Sequence, residues 1–290
     1  MDRSGGAASV TSCDRALGAR RIAGALGAEL HGVDLSRPLS GDEVAVLRAA
    51  WLEHHVIFLR DQNVAPRQFL AFAERFGMPI EYPLMKGIAG FPAIVEVKKL
   101  ERERNAFGAI WHSDTVYLDE PPMGTMLVAR EVPPCGGDTL FANTALAFES
   151  LSAGMQRMLS ELKAVHSSAK GFIGLRDGDC PRADGRDYAR GELRAEHPVV
   201  RTHPETGRKA LYVNQAHTLG FAGMSVGESA PILEYLYQHQ TRPEFTCRFS
   251  WQPGSIAFWD NRCTQHNAVN DYHGFRRAMH RIILVGDRPR

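Results

Sequence analysis

Short apolar segments recur along the chain after residue 110, and turns rich in glycine and proline separate them. The segments cover residues 123–132, 139–142, 163–167, 197–201, 210–215, 245–250, 255–259 and 277–285. Turns such as VPPCGGDT and WQPGS lie between them. Short strands spaced by such turns are typical of a β sandwich or barrel, so the pattern predicts a mainly β fold.

A few helices are predicted to flank the sheets. Ser40 and Glu43 form a candidate capping box for a helix over residues 41–54, and APRQFLAFAERFG predicts a second helix ended by Gly77. HVIFLRD, between these helices, predicts a buried strand, and LGAELHGVDLSRPLS, before them, alternates like a strand until it closes in a turn. One further helix is expected around NTALAFESLSAGMQRMLSEL and another near SAPILEYLYQHQ.

The chain shows no internal repeat and no linker between domains, so residues 21–290 are expected to form a single domain. Residues 1–20 are rich in Gly, Ala and Ser and predict a mobile N-terminus. Residues 174–195 are polar, Gly-rich and aperiodic, which predicts a surface loop or a lid over a site.

Composition narrows the function classes. Charged residues make up 23% and hydrophobic residues 44%, and the net charge is +1, so we expect neither a nucleic-acid nor a membrane partner. The sequence contains no apolar run long enough for a membrane-spanning helix and no apolar leader segment. Its five cysteines are scattered without a CxxC pair, which favours a reducing cytoplasm.

The stretch GAIWHSDTVYLDEPPMG places two ionisable residues, His112 and Asp114, inside an apolar run. Side chains at i and i+2 of a strand point to the same face, so these two are predicted to converge. A buried carboxylate needs a partner, and imidazole with carboxylate suits a divalent metal. Because the HxD pattern is short, a salt-bridged or half-exposed pair is the alternative.

A second segment, GSIAFWDNRCTQHNAVNDYHGFRRAMHRIILVGDRP, adds His266 after a strand-like run that ends in Trp259. Arg277 and Arg281 follow four residues apart in another strand-like run, and so share one face. Two arginines among apolar residues need anions to neutralise them. Those anions are either ligands or carboxylates of the protein itself.

Taken together and in this order, these motifs resemble the iron(II)/2-oxoglutarate dioxygenases of the taurine and 2,4-dichlorophenoxyacetate dioxygenase group. The matching pieces are WHSD with EPPMGTMLVAREVPPCGGDT, then WDNRCTQH with DYHGFRRAMHR and the closing GD. The likeness runs from about residue 20 to the C-terminus. The resemblance implies a double-stranded β-helix (jelly roll) with flanking helices. It also implies three cofactors or cosubstrates: Fe(2+), 2-oxoglutarate and O2.

The resemblance assigns roles to individual residues. His112, Asp114 and His266 would bind iron on one side and leave three positions open. Arg277 would pair with the distal carboxylate of 2-oxoglutarate, helped by the Thr139 hydroxyl. Trp259 would either wall the pocket or serve as a core aromatic.

The resemblance also implies a small anionic organic substrate: a carboxylate, sulfonate, sulfate or aryloxyalkanoate. Arg281 would face its anionic end, with an internal ion pair as the alternative. Tyr82, Met85, Phe107 and Tyr117 are expected to line the substrate pocket, although each could equally be a core residue. Phe107-Gly108-Ala109-Ile110 stands where taurine dioxygenases carry a polar run, which favours a more apolar substrate body and disfavours taurine.

The reaction would hydroxylate a C–H bond while 2-oxoglutarate is decarboxylated, and next to an ether or sulfonate group the product would fragment. Two other functions compete with this one. The first is a β-barrel that binds a metal and an organic acid without turnover. The second is a zinc hydrolase, which lacks a well-spaced general base here. The resemblance further implies a homo-oligomer, a dimer or a tetramer.

Overall fold

A computed structural model of the protein describes residues 18–170 and 191–290. The strands in these residues are β1 Arg20–Arg21, β2 Ala28–Leu30, β3 Val56–Leu59, β4 Pro79–Ile80, β5 Val95–Lys99, β6 Gly124–Glu131, β7 Thr139–Asn143, β8 Lys163–Ser167, β9 Arg194–Pro198, β10 Val200–Thr202, β11 Lys209–Leu211, β12 Thr218–Phe221, β13 Thr246–Phe249, β14 Ile256–Asp260, β15 Thr264–Ala268 and β16 Arg277–Leu284. The helices are α1 Gly41–His54, α2 Pro66–Glu74, α3 Thr144–Glu149, α4 Ala153–Ser160 and α5 Val226–Gln240, with a 3₁₀ turn at Pro243–Phe245.

The largest sheet has the strand order β1-β2-β3-β14-β6-β16-β4. β16 is antiparallel to β6 on one side and shares its other side between β5 and β4. In that register Arg277 lies opposite Lys99 and Arg281 lies opposite Val95. This arrangement places both arginines on a strand that has paired neighbours on both sides.

A three-stranded sheet, β13-β7-β15, packs against the largest sheet across an apolar core. Phe58 and Met279 come from the large sheet, and Phe141 and Phe249 come from the small one. The rings of Phe58 and Phe249 stack with centroids 4.0 Å apart. Two facing sheets around one apolar layer form a β sandwich, as the pattern of short segments predicts; the larger sheet is antiparallel except for the β2–β3 pair.

Each of the eight apolar segments overlaps a strand, although 197–201 spans the end of β9 and the start of β10, and 210–215 continues past the end of β11. Two strands near the cavity, β5 and β15, were not among these segments. β5 (VEVKK) and β15 (TQHNA) contain too many polar residues to be recognised as apolar segments. β15 matters most because it carries His266. The sequence analysis placed His266 beyond a turn and assigned it to no strand.

The helices agree with the predictions in part. Ser40 and Glu43 form the expected capping box of α1. α2 ends at Glu74, three residues before Gly77, so the prediction that Gly77 ends it is wrong. The single helix expected after residue 143 is also wrong. It is two helices, because Ser152 leaves the helical conformation and caps the backbone N–H of Met155 to start α4.

A second apolar core lies between α5, the β12-β8-β9 sheet and the β10-β11 pair. β9 begins at Arg194, so the last residues assigned to the 174–195 loop are strand. Residues 174–190 of that loop and residues 1–17 of the N-terminal segment lie outside the described residues. The organisation as a single domain stays a prediction. Among the helices of the described ranges, none combines the length and the apolar character that crossing a membrane requires.

Candidate active site

Two histidines far apart in sequence are joined through their backbones. His112 N donates to His266 O at 3.0 Å, and His266 N donates to His112 O at 2.8 Å. This isolated antiparallel bridge holds the two imidazole centroids 4.1 Å apart. The relative position of the rings is therefore fixed by β15 and not by side-chain contacts alone.

Asp114 completes the group, although not through the predicted strand. His112 forms only an isolated bridge, and the chain turns at Asp114, where Thr115 has a φ of 44°. The prediction of a continuous strand is thus wrong, and it is the turn that brings the carboxylate back toward the imidazole. Asp114 Oδ1 lies 3.6 Å from His112 Nε2 and 3.7 Å from His266 Nε2.

Neighbouring groups orient these three side chains. His112 Nδ1 lies 2.7 Å from the carbonyl of Ile110, which favours the tautomer with its proton on Nδ1 and makes Nε2 the nitrogen that can accept or coordinate. Thr125 Oγ1 donates to Asp114 Oδ2 at 2.6 Å and accepts from Asn261 Nδ2 at 2.8 Å. Such outer contacts hold metal ligands in place. Neither Thr125 nor Asn261 was predicted from the sequence.

The electrostatics favour metal-binding forms of these groups. Burial alone would raise the pKa of Asp114, but the nearby Arg281, His266 and His112 outweigh it and hold that pKa well below its usual range. Burial, together with the neighbouring His112 and Arg281, lowers the pKa of His266 well below its usual value. A carboxylate and neutral imidazoles at neutral pH are the protonation states that a divalent metal requires.

The three ligand atoms lie within 4.8 Å of one another and all three residues are buried. Two imidazoles and one carboxylate converging from one side match the facial triad of non-haem iron(II) oxygenases, in which the remaining coordination positions stay open. The residues present therefore fit an iron(II) ion.

A cavity opens beside this group. Its lining comprises Val97, Phe107, Gly108, His112, Leu127, Thr139, Trp259, His266, Ala268, Arg277 and Arg281. Gly108 has a φ of 75°, and a Cβ there would lie 3.0 Å from His112 Cε1. A larger residue at position 108 would press on the histidine, so glycine keeps this wall clear.

Arg277 is buried in this cavity without an anion. Only 5% of it is exposed, and within the described residues its Nε and Nη2 have no hydrogen-bond partner. Burial lowers its pKa, although a guanidinium keeps its charge at neutral pH. Thr139, which the sequence analysis predicted as its helper, lies in the same cavity. An unpaired buried cation beside a hydroxyl is suited to a carboxylate ligand.

The position of Trp259 agrees with both roles considered for it, a wall of the pocket and a core aromatic. Its ring packs in the core between the largest sheet and the β13-β7-β15 sheet and also lines the cavity, 4.7 Å from the His266 ring. The indole Nε1 donates to Asn261 Oδ1 at 3.0 Å.

Arg281 faces the same cavity but has a partner in the protein. Its Nη2 lies 2.7 Å from Asp114 Oδ1, as an ion pair whose angle falls outside that of a hydrogen bond. The Tyr82 ring lies 4.7 Å from its guanidinium carbon, and the Phe107 ring lies 5.9 Å away. The internal ion pair named as an alternative for Arg281 is therefore present in this structure.

The four predicted lining residues gather in one apolar cluster. Tyr82 and Tyr117 are buried members, and Met85 and Phe107 pack against them. Of the four, Phe107 lines the cavity itself. The cluster makes the surroundings of Arg281 apolar on the side away from Asp114.

Another buried His, Asp and Cys group, formed by His203, Asp260 and Cys263, lies apart from this cavity. Its donor atoms are already engaged: Asp260 accepts from His203 Nε2 at 2.9 Å and from Arg262 Nε and Nη2 at 2.8 and 2.7 Å. Burial raises the pKa of the Cys263 thiol well above its usual value. This group is a buried ion-pair network in which Asp260 is already neutralised by Arg262 and hydrogen-bonded by His203.

Comparison with known proteins assigns the family. Residues 18–283 match the family model "Taurine catabolism dioxygenase TauD, TfdA family". An alkylsulfatase of Acinetobacter baylyi is 36% identical over 272 residues, covering 92% of this chain and 84% of the relative. An alpha-ketoglutarate-dependent sulfate ester dioxygenase of Pseudomonas putida is 34% identical, and the match covers 92% of this chain and 89% of that relative. A crystal structure of a taurine dioxygenase from Burkholderia xenovorans superposes on this chain with a TM-score of 0.79 at 38% identity. The match covers 93% of this chain and 90% of that structure's chain.

The chain therefore belongs to the TauD/TfdA family of dioxygenases. This confirms the predicted jelly-roll fold, and it confirms an oxidoreductase that uses iron(II), 2-oxoglutarate and dioxygen. The resemblance on which the sequence analysis relied is thus the correct one.

Proposed function

We propose that this dioxygenase oxidises small organic sulfate esters, with His112, Asp114 and His266 as its iron ligands. One observation carries the proposal. The three ligand atoms lie within 4.8 Å of one another, beside a cavity that also holds the buried Arg277, whose Nε and Nη2 have no hydrogen-bond partner among residues 18–170 and 191–290. A structural ion-pair network would neutralise such an arginine, whereas a carboxylate cosubstrate needs it free.

In this proposal the protein residues bind and orient. Arg277 and the Thr139 hydroxyl hold the distal carboxylate of 2-oxoglutarate, while the two histidines and Asp114 hold the iron. When bound, the iron supplies the activation of dioxygen that oxidises the substrate carbon. Trp259, Leu127 and Phe107 keep the cavity apolar, which excludes water from the reacting groups.

Arg281 is proposed to bind the sulfate group of the substrate. The guanidinium fork matches a tetrahedral oxyanion, and the apolar cluster of Tyr82, Met85, Phe107 and Tyr117 suits a hydrocarbon body. Two of the relatives, the alkylsulfatase and the sulfate ester dioxygenase, support this class over taurine.

The overall reaction balances as a cleavage. The ester RCH₂–O–SO₃⁻ gains one oxygen atom at the carbon that bears the sulfate, and the second atom of O2 enters succinate as 2-oxoglutarate loses carbon dioxide. The hydroxylated ester RCH(OH)–O–SO₃⁻ then breaks its C–OSO₃ bond. An aldehyde RCHO and hydrogen sulfate leave, so no further oxidant is needed.

The test is a substrate panel with iron(II) and 2-oxoglutarate under air. Oxygen uptake, succinate and inorganic sulfate are measured with alkyl sulfates, taurine, alkyl sulfonates and aryloxyacetates. We expect equal amounts of succinate and sulfate with an alkyl sulfate. Succinate released with an aryloxyacetate or sulfonate and not with any alkyl sulfate would contradict the proposed substrate.

Two arginine variants sharpen this test. Arg281→Met should raise the KM for the alkyl sulfate by about 100-fold, because a buried charged hydrogen-bond partner is lost. Arg276→Met is the matched control, since Arg276 is exposed on the same segment and pairs with Glu131 at 3.2 Å. It should leave the KM unchanged.

A homo-oligomeric state and a cytoplasmic location stay predictions. Light scattering after size-exclusion chromatography measures the first directly. A dimeric or tetrameric mass is the expected result, and a monomeric mass at micromolar concentration would contradict it.

A further inference from the structure

Trp251 makes a buried hydrogen bond to a residue of the cavity. Its indole Nε1 donates to Thr139 Oγ1 at 3.0 Å, across 112 positions of sequence. Trp251 lies just after β13, Thr139 is the first residue of β7, and these two strands are paired. Only 8% of Trp251 and 3% of Thr139 are exposed.

This bond fixes what the Thr139 hydroxyl can do. A threonine hydroxyl has one proton to donate and two lone pairs, whereas an indole N–H is a donor only. With one lone pair occupied by Trp251, the hydroxyl proton still needs an acceptor. Among residues 18–170 and 191–290, no acceptor for it is found.

The same ring also supports Arg277. The guanidinium carbon of Arg277 lies 5.7 Å from the Trp251 ring centroid, within the range of a cation–π contact. The edge of Phe249 meets the ring at 85° with centroids 5.0 Å apart, which fixes the plane of the indole. A single side chain therefore contacts both polar groups that face this end of the cavity.

We propose that Trp251 is a positioning residue for the carboxylate subsite. Its N–H turns the Thr139 hydroxyl into a donor aimed at the cavity, and its ring holds the Arg277 guanidinium. The subsite then presents the Thr139 proton and the Arg277 guanidinium as donors, which favours an ionised carboxylate over an amide or an amine. The proposal rests on the proposed function, in which Arg277 and Thr139 bind 2-oxoglutarate.

A double-mutant cycle tests it by direct binding, without turnover. The dissociation constant of 2-oxoglutarate is measured calorimetrically on the Mn(II)-loaded wild type, Trp251→Phe, Thr139→Val and the double variant. Trp251→Phe keeps an aromatic ring and removes the N–H. We expect each single variant to weaken binding about tenfold, and the double variant to bind no more than about threefold more weakly than Thr139→Val.

If the double variant binds 2-oxoglutarate more weakly by the product of the two single-variant factors, the two residues act independently. The N–H would then not act through Thr139, and the proposal would be overturned. Trp51→Phe is the matched control. Trp51 is fully buried, its Nε1 has no partner in the described ranges, and it stacks on Phe258 outside the cavity. That variant should bind 2-oxoglutarate like the wild type. If the wild type itself does not bind 2-oxoglutarate, the proposed function fails before the cycle is tested.

A second measurement uses the unaltered protein and so does not depend on a variant folding. The indole N–H signals of ¹⁵N-tryptophan-labelled protein are followed by NMR while 2-oxoglutarate is added to the zinc-loaded form. When Thr139 donates to the carboxylate, its acceptance from Trp251 strengthens, so the Trp251 signal should move downfield. A Trp251 signal that stays as constant as that of Trp51 would also overturn the proposal.

Discussion

Arg281 and Asp114 form a buried ion pair, with Nη2 2.7 Å from Oδ1, between the proposed metal ligands and the arginine-lined end of the cavity. Both side chains are at least 95% shielded from solvent. The same carboxylate oxygen faces both histidines, so a metal bound there competes with Arg281 for Asp114. An anion on Arg281 would in turn release the carboxylate, so metal and anion binding should strengthen each other.

The first prediction is that Arg281→Met tightens metal binding. Without the guanidinium, the metal no longer has to displace a cation from Asp114, and the positive charge near the site is lost. We expect the dissociation constant of Mn(II), measured by electron paramagnetic resonance, to fall about tenfold. Arg276→Met should not change it, and weaker binding in Arg281→Met would contradict the competition.

A second prediction concerns the hydroxyl that supports Asp114. Thr125→Val removes the 2.6 Å hydrogen bond to Asp114 Oδ2 while keeping the shape of the side chain. Loss of such an outer contact should weaken Mn(II) binding about 10- to 100-fold. Thr125→Ser keeps the hydroxyl and should bind nearly as the wild type does. Equal metal affinity in all three proteins would show that the hydroxyl does not support the ligand.

A third prediction separates buried from exposed ion pairs. Asp260 accepts from Arg262 and His203, and all three are buried. Asp260→Asn should lower the free energy of unfolding by about 3–5 kcal/mol, because Arg262 is left partly uncompensated. Glu244→Gln breaks an exposed pair with Arg242 and should leave stability unchanged in the same urea titration. Comparable losses in both variants would contradict the role assigned to burial.

A fourth prediction is an acid-dependent loss of stability through His55. Burial lowers the pKa of His55 to about 4, below the value near 6.5 that an unfolded chain has. Between these values the unfolded state binds a proton that the folded state does not, so stability falls as pH decreases from 7 to 4. From this residue the loss should be about 3 kcal/mol.

The matched variant for this measurement is His55→Asn. His55 has a φ of 63°, a conformation that asparagine adopts more readily than most residues. Urea unfolding of both proteins at pH 7 and pH 4 gives the comparison. The variant should lose about 3 kcal/mol less than the wild type. Parallel curves would contradict the lowered pKa.

The sequence predicted the apolar strands well because burial on both faces produces short apolar runs, as in IAFW of β14 and IIL of β16. It did not predict β15, whose residues TQHNA are polar although three of them are buried. Their polar groups are satisfied by specific partners, such as the bond from Gln265 Nε2 to Val213 O at 2.9 Å. No local pattern encodes a partner that distant.

The sequence suggested the three residues proposed to bind iron, His112, Asp114 and His266, but not the way in which the chain brings them together. His112 and Asp114 converge through a turn with a positive φ at Thr115, and an i to i+2 rule for strands cannot foresee it. The supporting residues Thr125, Asn261 and Trp251 have ordinary local sequence surroundings. Only the pairing of distant strands brings them into contact with Asp114 or Thr139, directly or through one another, so their roles required the structure.

The most direct test of the account asks whether His112, Asp114 and His266 hold one iron that also binds 2-oxoglutarate. Anaerobic addition of iron(II) and 2-oxoglutarate should give a weak visible charge-transfer band in the wild type that saturates at one iron per chain. Asp114→Ala should abolish this band, while His203→Gln, in the other buried cluster, should keep it. A full band in Asp114→Ala, or none in the wild type, would contradict the central claim.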